Sequence, residues 1–299
     1  MSTEPTPHTV DINAWVEKSR HDPHLYSERQ ATEVVLASIG RSSTFGGKMF
    51  LKGGTLMGVV YKSPRQTADI DFTADFDPSD FLLKELNDDL NDEMKRTAAQ
   101  LGYPDLVCRV QSLKKKPRPQ GFDKMQFPAI EMKIAHAKRD TRPHERLKRG
   151  DCPTTLKVEV SFKEPVEAIE LIQLGEDSTI HAYGFAELVA EKMRALLQQV
   201  KRDRSRCQDV YDIAFLVRDG IFEDNEKEYI LKRLIEKSHV RDIHPDIDTM
   251  GQSGIKERAK EGWETLGLEL SELPDFDTEF EIVESFYQSL PWDKASRPT

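Results

Sequence analysis

Hydrophobic and polar positions along this chain follow two regimes that change near residue 181. Before the change, runs of period two alternate with runs of helical period. ERQATEVVLASI (residues 28–39) has helical spacing, and KMFLKG reads as a short strand entering a Gly-Gly turn. GTLMGVVY is apolar enough for a buried helix, and TADIDFTAD alternates like a half-buried strand. Asp77-Pro78-Ser79-Asp80 supplies a turn and a helix start, after which DFLLKELNDDLNDEMKRTAAQLG reads as a long amphipathic helix ending at Gly102. Three more strands are predicted in DLVCRVQSL, MQFPAIEMKIAHA and TLKVEVSF. In the last, Leu156, Val158, Val160 and Phe162 share one face, and Lys157, Glu159 and Ser161 share the other. KPRPQG, between the first two, has the composition of an exposed, mobile loop.

After residue 181 the period is helical. FAELVAEKMRALLQQV, RCQDVYDIAFLVRDG and EDNEKEYILKRLIEKS predict amphipathic helices, and GWETLGLELSELPDF and EFEIVESFYQSLPW close an acidic segment. No internal repeat is visible. The predicted class is α/β (α+β), with a mixed-sheet domain over residues 1–180 and a helical domain over 181–299.

Composition changes this picture little. The chain is 37% hydrophobic and 32% charged, as in a charge-rich globular protein. No apolar run approaches the roughly 20 residues of a membrane span. The N-terminus lacks the basic and apolar regions of a secretory signal, so a cytoplasmic protein is expected. Cys108, Cys152 and Cys207 are too few and too scattered for a disulfide framework or a Cys-rich zinc site.

Charge matters more by its distribution. Of the net −10, residues 221–299 carry −9 and the first 220 residues only −1. Within those 220 lie three basic clusters: Lys114, Lys115, Lys116 and Arg118; Lys138, Arg139, Arg142, Arg146, Lys148 and Arg149; and Lys201, Arg202, Arg204 and Arg206. Such clusters suit a phosphate backbone despite the acidic total.

The candidate chemistry lies in LKGGTLMGVVYKSPRQTADIDF, residues 51–72. Asp69 and Asp71, two apart on a strand, present two carboxylates from one face, and Ile70 and Phe72 pack behind them. Hard cations such as Mg²⁺ take oxygen ligands and keep water and substrate phosphates in their other positions. The Gly53-Gly54-Thr55 turn lets backbone N–H groups approach a phosphate, and the helix that starts there adds its positive end. Glu159, on the polar face of its strand, suits a third carboxylate, which a two-metal arrangement needs. Together these predict a phosphate turn and metal mount for nucleotidyl transfer. RSSTFGGKM is no P-loop: the spacing from Gly40 to Gly46 is wrong, and Met49 stands where Ser or Thr is required. The eight histidines show no HExxH spacing, which argues against a zinc enzyme of that type.

With these residues in place, the sequence resembles the AbiEii/AbiGii and MenT group of nucleotidyltransferase toxins. The resemblance rests on four ordered blocks over residues 48–218: LKGGT followed by TADIDF, then LKVEVSF, FAELVAEKMRAL and RCQDVYDIAFL. It implies a DNA polymerase β-like nucleotidyltransferase domain, with the C-terminal helical domain completing the active-site cleft. It also implies a toxin of a type IV toxin–antitoxin or phage-abortive system, using an NTP with Mg²⁺ (or Mn²⁺) and opposed by an AbiEi-like antitoxin. Some members of the group modify the 3′ acceptor end of tRNA and so block translation.

The group's essential positions map onto Lys52 or its Gly53-Gly54-Thr55 neighbours, Asp69, Asp71, Lys192, and either Asp209 or Asp212. Lys52, Lys62 and Arg65 are the candidates for the lysine near the turn. Lys52 is assigned to phosphate contact and Arg65 to steadying the Asp69–Asp71 strand. Lys192 sits mid-helix among Leu188, Val189, Leu196 and Leu197, where its stem can be buried and its ammonium aimed at a triphosphate. Asp209 and Asp212 fall on one helix face. Thr67 occupies a position at which a phosphate would place like charge beside the two carboxylates. Two other functions stay open: transfer to a protein or small molecule, and NTP binding without transfer.

Overall fold

The computed structural model describes residues 8–117, 119–122, 124–175 and 178–295 of the 299. The chain divides into two compact units. One holds residues up to 60, 67–164 and 169–182; the other holds 61–66, 165–168 and everything from 183.

The elements of the first unit are, in chain order, β1 (His8–Val10), α1 (Ile12–Glu17), α2 (Pro23–Arg41), β2 (Met49–Lys52), α3 (Gly53–Val59), β3 (Asp69–Ala74) and α4 (Asp80–Gln100). They continue with β4 (Leu106–Lys116), α5 (Pro119–Phe122), β5 (Ala129–Lys138), α6 (Arg142–Arg149), β6 (Thr155–Phe162), β7 (Ile169–Leu174) and β8 (Thr179–Tyr183). Among the described residues the eight strands make one mixed sheet in the order β1-β7-β8-β2-β3-β6-β5-β4. β3 lies inside it, antiparallel to β2 and parallel to β6.

The predicted helices and strands around the Asp69–Asp71 segment form where the patterning puts them. Along β6, burial alternates residue by residue, with Leu156, Val158, Val160 and Phe162 at 0–1% exposure. Ser79 caps α4, its hydroxyl accepting from the N–H of Leu82, and Leu83, Leu86, Leu90 and Met94 form the buried stripe. α2 and α4 pack on each other, and Ser27 of α2 meets the buried His136 of β5. The opposite face of β5 packs Ala135 and Ala137 on Leu147 of α6 and on Cys152.

Three differences from the sequence reading stand out. β1, β7 and β8 are strands that patterning did not indicate: β1 has three residues, and IELIQL and TIHAY are short. The basic stretch 138–149 contains α6, which shows too few apolar residues to advertise itself, since only His144 and Leu147 are buried. KPRPQG is not an open loop throughout: Pro119–Phe122 is a helical turn with Phe122 at 1% exposure, and the ammonium of Lys115 lies 4.7 Å from the Phe122 ring centre. Arg118 of the first basic cluster lies outside the described residues.

The second unit holds α7 (Phe185–Gln198), α8 (Cys207–Val217), α9 (Asp224–His239), α10 (Ser253–Lys260), α11 (Phe276–Gln288) and α12 (Trp292–Ala295). Its core joins Val189, Met193 and Leu196 of α7 to Val210 and Ile213 of α8, Ile230 and Leu234 of α9, and Phe280 and Tyr287 of α11. Beside it, Glu187, fully buried, accepts from Arg233 Nε at 2.9 Å and pairs with Lys237 at 2.5 Å; Lys237 also donates to the Pro165 carbonyl. No helix of the described residues is long and apolar enough to cross a membrane.

Candidate active-site residues

Register across the sheet arranges the polar residues of the first unit in rows. Asp71 faces Lys52 on one side and Glu159 on the other, and Glu159 in turn faces Glu131. One step along the strands, Asp69 faces Lys157, which faces Lys133. Paired residues project from the same face, so a row holding three carboxylates adjoins a row holding two lysines and Asp69. Glu131 and Lys133 went unnoticed in the sequence. The alternation in IEMKI was the available signal, but only the strand pairing brings it to Asp69 and Asp71.

Asp69 and Asp71 are both partly exposed on this face, with Ile70 and Phe72 buried behind. The Lys157 ammonium stands 2.5 Å from Asp69 Oδ2, and this hydrogen bond raises the lysine's pKa above its usual value. Lys116 reaches Glu131 at 2.6 Å and Glu159 at 3.5 Å. The Glu131 carboxyl is held below its usual pKa, chiefly by that hydrogen bond from Lys116.

The Gly-Gly-Thr turn is built into this arrangement. Gly53 has φ +71°, and a Cβ placed there would lie 2.3 Å from Asp71 Oδ2, so only glycine leaves room for the Asp71 carboxylate. Thr55 donates its hydroxyl to the Asp69 carbonyl at 2.8 Å, tying α3 to β3. Lys52, assigned to phosphate from the sequence, pairs with Glu164 at 2.6 Å and donates to Ser161 Oγ at 3.1 Å. Glu164 also accepts from the Thr73 hydroxyl.

Asp69 and Asp71 suit a hard cation: two carboxylates, two residues apart, on an accessible face beside a turn without side chains. Among the described residues, no three His, Cys, Asp or Glu side chains converge into a formed metal cluster. Glu159, expected as a third ligand, is the row neighbour of Asp71 and already meets Lys116. Asp69 and Asp71, with Glu159 beside them, would hold such a cation, with water and phosphate oxygens in the remaining positions.

The second unit holds the remaining predicted residues. Lys192 is buried, and its ammonium donates to Asp209 Oδ1 at 2.9 Å and to Asp212 Oδ2 at 2.7 Å. Asp212, at 0% exposure, also receives two hydrogen bonds of 2.9 Å from Arg65, whose third nitrogen reaches Glu269 at 2.6 Å. Arg65 thus holds α8 and Glu269, not the Asp69–Asp71 strand. Burial works against the charge on Lys192, yet Asp212 and Asp209 outweigh it and its pKa lies above the usual lysine value. Burial likewise penalises ionised Asp212, but Lys192 and Arg65 hold its pKa below the usual carboxylate value. Of the aspartate pair, Asp212 is the one shared by both cations. Glu269, some 200 residues from Arg65 in sequence, had no signal in the pattern.

The basic clusters are exposed but partly neutralised. Lys138, Arg139 and Arg142 are open to solvent, whereas Lys148 pairs with Glu145, Arg146 and Arg149 lie within 3.6 Å of Asp151, Lys115 pairs with Asp80, and Lys201 with Asp242.

Comparison with known proteins identifies the family and the fold. The family described as nucleotidyl transferase AbiEii toxin, type IV toxin–antitoxin system, matches residues 35–282. Among solved structures, the MenT4 nucleotidyltransferase toxin of Mycobacterium tuberculosis is similar with a TM-score of 0.58 and 16% identity, over 96% of this chain and 92% of that one. JHP933 of Helicobacter pylori gives a TM-score of 0.48 and 14% identity, over 92% of this chain and 95% of that one. No curated protein sequence matches. The likeness to MenT4 speaks for the fold; the family match spans most of the chain and includes Asp69, Asp71, Lys192 and Asp212. The chain belongs to the AbiEii nucleotidyltransferase toxin family of type IV toxin–antitoxin systems.

Proposed function

We propose that the chain moves a nucleotide from an NTP onto the 3′ acceptor end of tRNA in the cytoplasm, with Mg²⁺ or Mn²⁺ as cofactor, and that this stops translation until its antitoxin intervenes. The observation that carries this reading is the seating of Asp71 over Gly53, beside Asp69 on a face otherwise lined by lysines and carboxylates. A cation held by Asp69 and Asp71 would offset charge on the triphosphate and make its α-phosphorus a better electrophile. Gly53, Gly54 and Thr55 are assigned to phosphate through their backbone N–H groups, and Thr55 keeps Asp69 in place through its carbonyl. The acceptor hydroxyl attacks the α-phosphorus, a new phosphodiester bond forms, and pyrophosphate leaves. Lys192, Asp209 and Asp212 are assigned to the same activity, with Lys192 held by the two aspartates.

The test incubates each α-labelled NTP with Mg²⁺, total bacterial tRNA and either the wild-type protein or Asp69→Ala. Label that enters tRNA with the wild type alone bears the reading out. Absence of label with folded, NTP-binding protein overturns tRNA as the acceptor.

Transfer to a protein or small molecule is the second reading. It is favoured by the pairing of Lys115, Lys116, Lys148, Arg146 and Arg149 with acids, which weakens their pull on RNA. Charge reversal at Lys114, Arg142 and Arg149 separates the two: lost transfer supports RNA, and unchanged transfer supports a small acceptor.

A further inference from the structure

The lysine beside the aspartate pair has a place of its own in this reading. Lys157 is the register partner of Asp69 on the parallel strand β6, and its ammonium lies 2.5 Å from Asp69 Oδ2. Both side chains are more than a third exposed, so the contact is not locked by packing. Neighbouring carboxylates of the same face are engaged in the same manner, Glu131 and Glu159 by Lys116. A carboxylate oxygen that accepts an ammonium at this distance already has a close positive partner. A cation arriving at Asp69 meets a resident positive charge there.

We propose that Lys157 is the built-in counter-ion of Asp69, and that a divalent cation binds the Asp69–Asp71 pair only by displacing its ammonium. The inference rests on the proposed metal mount and adds a positioning residue to it. In the absence of metal, Lys157 holds Asp69 oriented and screens its charge from Asp71. When metal arrives, the ammonium moves off and the affinity for the bare ion falls by the strength of the contact it replaces. An exposed pair of this kind is weak, and two like charges a few Å apart near a surface repel modestly, so the handicap is about three- to tenfold in affinity.

The experiment measures Mn²⁺ binding to the full-length protein, without nucleotide, from the loss of the free-ion signal in electron paramagnetic resonance. Wild type, Lys157→Met, Lys157→Arg and Asp69→Asn are compared at low salt, with circular dichroism and melting checked for each. Lys157→Met is expected to bind Mn²⁺ about three- to tenfold more tightly, Lys157→Arg to return to the wild-type value, and Asp69→Asn to weaken binding. The gain in Lys157→Met shrinks as salt is added, because exposed charges are screened. Unchanged or weaker binding by folded Lys157→Met overturns the proposal while leaving the metal mount standing. If the wild type binds Mn²⁺ no better than Asp69→Asn does, the metal mount itself fails, and the proposal with it. If Lys157→Met is poorly folded, Lys157→Gln answers the same question, with the same two outcomes.

Discussion

Arg65 and Asp212 meet through two parallel hydrogen bonds, Nε to Oδ1 and Nη2 to Oδ2, both 2.9 Å long, at a carboxylate fully shielded from solvent. The Lys192 ammonium also reaches Oδ2 of that carboxylate, so one aspartate bridges two buried cations, and Asp209 and Glu269 supply the remaining negative charge. Such a carboxylate is expensive to remove, because its partners stay behind without it.

Asp212→Ala is accordingly predicted to lower stability by about 3–5 kcal/mol, the range for leaving a buried charge unpaired. Urea unfolding of the variant against wild type measures it. A double variant, Asp212→Ala with Lys192→Met, is predicted to recover part of the loss, since it also removes a buried ammonium left with Asp209 alone. With Lys192→Met alone as the fourth corner of the cycle, strictly additive losses would show that the two residues are not coupled.

The same cluster sets a pH dependence. The pKa of Asp212 is lower in the folded chain than in the unfolded one, so its contribution is complete above the unfolded carboxylate value of about 4 and fades as pH falls through the lower folded value. Lys192 is shifted up, so its contribution is complete below the unfolded lysine value of about 10.4 and fades as pH rises past it. Stability should therefore fall at both extremes. Asp212→Asn should flatten the acid limb below about pH 4, as read by melting temperature against pH.

At the turn, Gly53→Ala should cost about 1–3 kcal/mol for a side chain held at positive φ. The added methyl also meets Asp71 Oδ2, so transfer should fall further than stability does. Gly47→Ala is the control, since a Cβ there has no neighbour within 4 Å. Melting and NTP transfer on both variants check the pair; equal activity losses would show that the close approach to Asp71 is immaterial.

Thr55→Val keeps the shape of the side chain but removes the hydroxyl that donates to the Asp69 carbonyl. A loss of about 1–2 kcal/mol is expected from one partly buried hydrogen bond and the acceptor it leaves behind. Thr55→Ser should keep most of the stability in the same melting experiment. Wild-type stability in Thr55→Val would mean that α3 is held to β3 by packing alone.

How much of this could be read in the sequence follows the range of each signal. The alternation of TLKVEVSF and the start and amphipathic run of α4 are local, and both were legible, the strand with its two faces. Asp69 and Asp71 declared themselves by spacing, and Lys192, Asp209 and Asp212 through a family resemblance. Pairing partners did not. Lys157 meets Asp69 across 88 residues, and Glu269 meets Arg65 across 204, so no window along the chain contains both members. β7 and β8 escaped because each is short, and α6 because it carries few apolar positions; their packing partners, not their own pattern, decide their form.

The same separation has a consequence for the birth of the protein. The strand bearing Asp69 and Asp71 leaves the ribosome long before β6, which supplies its parallel neighbour and the lysine against Asp69. At about 5–20 residues per second, those 88 residues occupy the ribosome for roughly 4–18 s. Throughout that interval β3 lacks one flank of its sheet, so a nascent chain holds both aspartates without the framework that fixes them. Strand order alone thus delays the assembly of the face that carries the two aspartates.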